Sequence, residues 1–338
     1  MAKSSKKSED NIRENWRKSY SVLPRLDLIQ IQKDSYQWFL DHGIKEILEE
    51  ISPILDFTEK NWELHLSDYR IGKPSNPPEV CLRKGLTYDA PLYVNAVLIN
   101  KKTEGKIKSE VFLGDIPQMT DKGTFIINGI ERAVVNQLVG SPGVFFTAVQ
   151  DNVTAKTLYT GELRPVHGSW LEFTTTRHET IMVKIDRRRK FLATTFLRAL
   201  GMSSNESIKE RFAQVEADKT QFVENTLLKD DTQTADDAVI EIFKKMHPGE
   251  PVVLDKVREN FLGTFFNNRR YDLGVVGRYK INKKLKDTEG FNAPSLDTKI
   301  LTLDDIIGTI SYLIKLAQGE YSVDDIDSLA NRRVRCVG

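Results

Sequence analysis

An α+β fold in two domains, mostly antiparallel sheets with helices at their margins, is predicted by three features of this sequence. Between about Trp62 and Phe146, apolar residues alternate in short runs such as Trp62-Glu63-Leu64-His65-Leu66, punctuated by Gly and Pro; a period of two marks half-buried strands. A second strand-rich stretch runs from Val153 to Ile185 and gives way to segments of helical spacing. The 338 residues also exceed what one core of ordinary size organises, so two domains are expected.

Met1 to Arg25 is dense in Lys, Ser, Glu and Asn and reads as an extended arm that a partner would order. From Leu26 to Asp41, Leu28, Ile31, Tyr36, Trp38 and Phe39 suit an amphipathic helix stopped by Gly43; a second short helix follows over Ile44 to Ile51, ended by Pro53. After the sheet region a helix is expected from Phe191 to Leu200 with Gly201 as its C-cap. Thr234 is a candidate N-cap for a helix over Ala235 to Met246, which His247-Pro248-Gly249 stops. Thr302 with Asp305 three residues on forms a capping pattern, and Ile306, Ile310, Leu313 and Ile314 mark the buried face of the helix it begins.

Composition narrows the function classes. Apolar residues at 40% and charged ones at 29% describe a globular chain, and no run approaches the ~18 apolar residues of a membrane helix. The polar, lysine-rich N-terminus has no apolar segment behind it, unlike a secretory signal, so a cytoplasmic location and no membrane contact are expected. Cys81 and Cys336 stand far apart without CxxC spacing. The histidines at 42, 65, 167, 178 and 247 are not paired at ligand spacing, and no phosphate loop, nucleophile elbow or magnesium-binding aspartate cluster occurs. Asp324, Asp325 and Asp327 sit beside Arg332, Arg333 and Arg335, which favours ion pairing over a metal. A formal charge of +1 is low for a free-standing DNA-binding domain; contact with nucleic acid would come through local patches or as one wall of a larger assembly.

The most informative stretch is Thr120 to Phe146. Around Asn128-Gly129 it reads as strand, tight turn, strand, because both residues tolerate the positive φ of a two-residue hairpin. The second strand, Glu131 to Leu138, carries Glu131, Arg132, Asn136 and Gln137 among apolar neighbours. These polar groups need partners, either internal salt bridges or a large polar ligand.

This stretch and others in the same order resemble the N-terminal part of the β subunit of bacterial-type DNA-directed RNA polymerase. The likeness is carried by Ile31-Gln32 with Asp34-Ser35-Tyr36; Leu86-Thr87-Tyr88 with Ala90-Pro91-Leu92; Gly114 to Asp121; Gly168-Ser169-Trp170-Leu171; Ile185-Asp186-Arg187-Arg188-Arg189-Lys190; Pro248 to Pro251; Arg270 to Leu273 with Val276-Gly277-Arg278; and Asp324 to Asp327 with Asn331-Arg332-Arg333. The resemblance implies a first domain, the protrusion, over 26–150, and a second, the lobe, over 151–323, inserted into it. Residues 324–338 would begin the return. That return is cut short at Gly338, which reads as a fragment or as a split subunit whose remainder is a separate chain.

The same resemblance implies site residues. Trp170, Asp186, Asp327 and Arg332 would form a pocket for a flipped guanine of the non-template strand, with Arg187 and Arg188 of the basic run facing DNA. By charge pattern alone that run is a solvated face; its place at a strand-to-helix junction suits phosphates or base edges. Equally open from the residues are a core Trp170, an Asp186 that caps Arg187, and an Asp327 paired with Arg332 or Arg333. Gly140 departs from the family, where an arginine precedes Ser-Pro-Gly. Arg132, Val135 and Gln137 fall where the family borders its rifamycin pocket. Ile107 and Lys108 match a protrusion edge that a repair-coupling translocase extends, though Ser109 departs from that motif. The implied partners are β′, the α dimer, ω, sigma and DNA. Catalytic residues are expected to be none in this chain, with no cofactor bound by it, the magnesium of the whole enzyme being held by β′. The rival reading is a protein-docking module for a transcription or repair-coupling factor through the protrusion edge, where exposed backbone invites β-augmentation.

Overall fold

The computed structural model describes residues 27–56, 60–216 and 220–338; the predicted arm over 1–25 lies outside them. The first unit is a four-stranded antiparallel sheet in the order β1-β2-β3-β4, formed by Ile54–Leu55, Trp62–Ile71, Asp89–Asn100 and Lys106–Pro117. Helices α1 (Gln30–Trp38) and α2 (Ile44–Ile51) lie against it. Gly43 does not stop the first helix. The backbone stays helical through a π turn at Phe39–Gly43 and runs straight into α2, since an isolated glycine weakens a helix without breaking it.

This unit's fully buried core is Ile44, Leu48 and Val94, with Phe39, Leu40, Leu66 and Tyr69 packed around it. Tyr36 is also buried, its hydroxyl donating to the Pro117 carbonyl at 2.6 Å and its ring meeting Phe125 edge-on. Leu28, Ile31 and Trp38 of the predicted helix face remain exposed; nothing in the described chain covers that stripe.

After α3 (Pro78–Lys84), the Asn-Gly hairpin forms as expected between β5 (Phe125–Ile127) and β6 (Ile130–Arg132). Asn128 and Gly129 have φ of 51° and 75°, the combination a tight hairpin turn asks for. Gly129 is required twice over, because a Cβ there would lie 2.5 Å from the Gly85 Cα. The expected single strand from Glu131 to Leu138 is interrupted. It ends at Arg132, and a separate strand β7 (Gln137–Gly140) pairs with β13 (Arg332–Arg335) near the end of the chain. Val134, Val135 and Leu138 are exposed instead of packed. Neither Glu131 nor Arg132 enters an ion pair among the described residues; Glu131 accepts from the Thr124 hydroxyl at 2.7 Å.

The second unit is a five-stranded antiparallel meander, β12-β11-β10-β9-β8, made of Gly143–Gln150 (β8), Thr157–Arg164 (β9), Leu171–Thr175 (β10), Ile181–Ile185 (β11) and Phe191–Leu192 (β12). Val144, Phe146, Leu163, Leu171, Phe173, Val183 and Ile185 on one face join a continuous core with the helices. Helix α4 (Ala193–Ala199) is buried along its length and ends, as expected, at Gly201 with φ 111°; the Met202 N–H reaches back to the Leu197 carbonyl. Helices α5 (Asn205–Phe212), α6 (Phe222–Leu227), α7 (Ala235–Met246), α8 (Leu254–Phe266), α9 (Gly274–Leu285) and α10 (Leu303–Ala317) complete it. Thr234 caps α7, and Thr302 with Asp305 forms the complete capping box of α10. The predicted face of α10 is buried, and Ile307, Leu316 and Ser311 outside it are buried too: α10 is a central helix. Asp305 does more than cap. Its other oxygen accepts from Arg278 at 2.7 Å, and both side chains are fully buried.

Candidate nucleic-acid interface

The site is built outward from the β11–β12 turn. After Ile185 the chain reverses through Asp186 and Arg187, at φ of 48° and 58°, and the Arg188 N–H closes the turn on the Ile185 carbonyl at 2.9 Å. Asp adopts this left-handed geometry readily; Arg does so at a cost of roughly 1 kcal/mol. The turn is locked to the loop entering β10. The Asp186 carboxylate accepts the Trp170 N–H at 2.8 Å, and the Asp186 N–H donates to the Trp170 carbonyl at 3.0 Å. Asp186 therefore positions Trp170; it does not cap Arg187.

Trp170 is neither core nor free. Its side of the sheet leaves it 36% exposed, with the Arg187 guanidinium 5.0 Å and that of Arg164 5.1 Å from the ring centre. Arg164 bonds to Glu162 at 2.8 Å and also lies over Phe145, which Lys280 covers in turn. Burial holds the Lys280 ammonium below its ordinary pKa, against the pull of Asp324. The four side chains Arg187 to Lys190 are exposed and form no ion pair among the described residues, so their charge is uncompensated.

The segment after α10 is clasped onto this surface. Asp324 exchanges backbone hydrogen bonds with Phe146 and accepts the Phe146 N–H and the Lys284 ammonium on its carboxylate, the latter at 2.7 Å. Burial alone would lower the Lys284 pKa, yet the hydrogen bonds to Asp324 and Tyr312 raise it. Ser141 donates to the Asn331 carbonyl, Lys280 donates to that of Ala330, and β13 pairs Arg332 with Gly140.

The four residues of the expected pocket thus fall into two pairs. Trp170 is joined to Asp186, and Arg332 is bonded to Asp327 at 2.5 Å. Between them lies a link the sequence did not reveal: the Arg164 guanidinium rests against Gly140, the register partner of Arg332, and over Trp170. Arg164, Glu162, Phe145 and Lys280 went unnoticed because they are spread along the sequence. The only available signal was the alternation Glu162-Leu163-Arg164, with Leu163 fully buried and the charged pair on the opposite face.

Other expected positions lie elsewhere. Arg132 ends β6, Val135 is 79% exposed in the irregular link, and Gln137 begins β7, where Arg335 bonds its side chain; the three share no element. Ile107 and Lys108 are exposed on β4, the edge of the four-stranded sheet. Among the described residues, no group of three or more His, Cys, Asp or Glu could hold a metal ion, and no helix is long and apolar enough to cross a membrane. Chemically, exposed guanidiniums beside a presented indole can neutralise phosphates and stack a base.

Comparison with known proteins agrees with the family suggested by the motifs. A family model described as RNA polymerase Rpb2, domain 2, matches residues 140–335, more than half of the chain. The DNA-directed RNA polymerase subunit beta of Syntrophomonas wolfei is 45% identical over 313 residues, and that of Chloroflexus aggregans 41% over 337 residues. Each alignment takes in 92% of this chain and 27% of the relative, so the chain spans about a quarter of the length of the proteins it matches.

Proposed function

The chain belongs to the RNA polymerase Rpb2 domain 2 family and is similar to the N-terminal part of bacterial β subunits, and from that premise we propose that it forms one wall of the DNA cleft of a DNA-directed RNA polymerase. In this role it grips the transcription bubble and its non-template strand, while nucleotidyl transfer takes place on other parts of the enzyme. The four-stranded unit would be the protrusion and the five-stranded unit an inserted lobe, with β′, the α dimer, ω and sigma as its protein partners in the cytoplasm.

The observation that carries the reading is the indole of Trp170, anchored by Asp186 and flanked by Arg164 and Arg187 beside an unpaired basic run. An aromatic face with uncompensated guanidiniums suits an unpaired, negatively charged strand better than a folded protein surface. The test is binding of the chain to labelled forked DNA, followed by fluorescence anisotropy across ionic strength. Affinity is expected to fall steeply with salt, and Trp170→Ala to weaken binding by ~1–3 kcal/mol, the usual worth of one stacked base. Salt-independent binding, or variants Trp170→Ala and Arg187→Ala that bind as the parent does, would refute the reading.

The edge strand β4, with Ile107 64% exposed, favours a second role in docking a transcription or repair-coupling factor by strand addition. Ile107→Asp should then abolish capture of that factor and leave DNA binding intact.

A further inference from the structure

Arg164 closes β9 on the outward face of the five-stranded sheet, and its side chain is only 14% exposed. Its Nε donates to Glu162 Oε2 at 2.8 Å and Nη2 reaches the same oxygen, so one edge of the guanidinium is engaged and its charge is countered in place. Its plane is held by Trp170 and Phe145, at 5.1 and 5.4 Å. Nη1 is left. It forms no hydrogen bond among the described residues and points at Gly140, where a Cβ would lie 2.7 Å from it. Gly140 is not among the residues with positive φ, so the backbone does not demand glycine there. What glycine supplies is room.

We propose that Arg164, through Nη1, is a specificity-determining contact to the edge of an unpaired base held at Trp170, and that Gly140 provides the opening in which that nitrogen sits. The inference rests on the reading above that this surface receives unpaired DNA. A base edge fits better than a phosphate. Glu162 already offsets the charge, leaving a directed donor, whereas Arg187 and Arg188 carry uncompensated charge for the backbone. A fixed N–H donor accepts the keto oxygen that guanine and thymine present and repels the amino group that adenine and cytosine carry in its place.

The experiment uses the full chain and labelled forks whose unpaired arms are runs of a single base. The parent chain should prefer guanine and thymine arms by about tenfold, within the range of a good base contact. Arg164→Leu should reduce that preference to within about twofold and leave the salt slope unchanged. Gly140→Ala should do the same by displacing Nη1, and should add nothing in the Arg164→Leu background, a coupling that a merely structural role would not produce. Arg164→Lys keeps the charge and stem without Nη1, and carries the test if Arg164→Leu does not reach the parent's thermal midpoint. Retained preference in these variants overturns the proposal. So does equal weakening on all arms with a shallower slope, which would mark a phosphate contact. A parent that binds every arm alike removes the inference and leaves the DNA-binding reading standing; a parent that binds none removes both.

Discussion

The two units of this chain bury themselves to different degrees. The five-stranded unit and its helices share one continuous core in which Phe196 meets Phe173, Phe261 and Phe265 edge-on, and Tyr271, Ile281, Leu285, Ile310 and Leu313 are sealed from solvent. The four-stranded unit fully buries little beyond Ile44, Leu48, Val94, Ala90 and Tyr36, while Leu28, Ile31, Trp38, Ile107, Phe112 and Leu113 stay exposed. Apolar burial is the main favourable term in folding. The second unit is therefore a self-supporting body that can present a rigid site, and the first is a surface with contact area to offer. Large exposed apolar residues in such number mark interaction sites.

The sharpest way to break this contrast is at the buried ion pair. Asp305→Ala leaves the Arg278 guanidinium without its carboxylate and also removes the cap of α10. A loss of about 3–5 kcal/mol is expected by urea denaturation, because an uncompensated buried charge is left behind. A loss below about 1 kcal/mol would mean that the second unit does not depend on its interior in this way.

Next in size are opposite pH limits. Burial would raise the Asp230 pKa, but hydrogen bonds from Thr194 and Thr232 and the charge of Arg198 outweigh it and hold it below 3.8. The folded form is thus favoured above pH 3.8, and the gain is lost as pH falls through the depressed value. Burial pushes the Tyr36 hydroxyl from 10.0 up to about 12; its contribution is present below pH 10.0 and lost as pH rises toward 12. Hydrogen exchange should therefore show amides of β10 opening first in acid and those of β3 first in alkali. Asp230→Asn should blunt the acid limb alone, and Tyr36→Phe the alkaline limb alone. The same region opening first at both extremes would contradict the contrast.

The smallest expected effect is the most diagnostic of the first unit. Leu28 is 88% exposed, so Leu28→Ser should change the stability of the chain by no more than ~0.5 kcal/mol. A larger loss would show that this stripe is covered within the chain itself.

Local chemistry made much of the fold legible. Thr302 and Asp305, Thr234, Gly201 and Asn128-Gly129 each act within a few residues of themselves, and each does in the structure what its spacing announces. Gly43 misled because helix continuation was decided by packing of Ile44 and Leu48 against the sheet, not by glycine's own preference. The run Glu131 to Leu138 misled because its second half pairs with Arg332–Arg335, some two hundred residues away, and no local pattern reports a distant strand. In the site, Trp170, Asp186 and the basic run were readable as types. Their grouping was not: Asp186 serves the Trp170 backbone, and Arg164 came to the indole through a neighbouring strand.

Sequence alone determined this protein's family, its α+β character, its helix caps and the residue types available to meet nucleic acid, because these follow from short-range spacing and from motifs in a recognisable order. Only the tertiary structure decided which cations share the face of one indole and that Gly140 makes room for a guanidinium from β9. Those facts depend on strand register and on close packing between segments distant in the chain, and neither is written in any local stretch of residues.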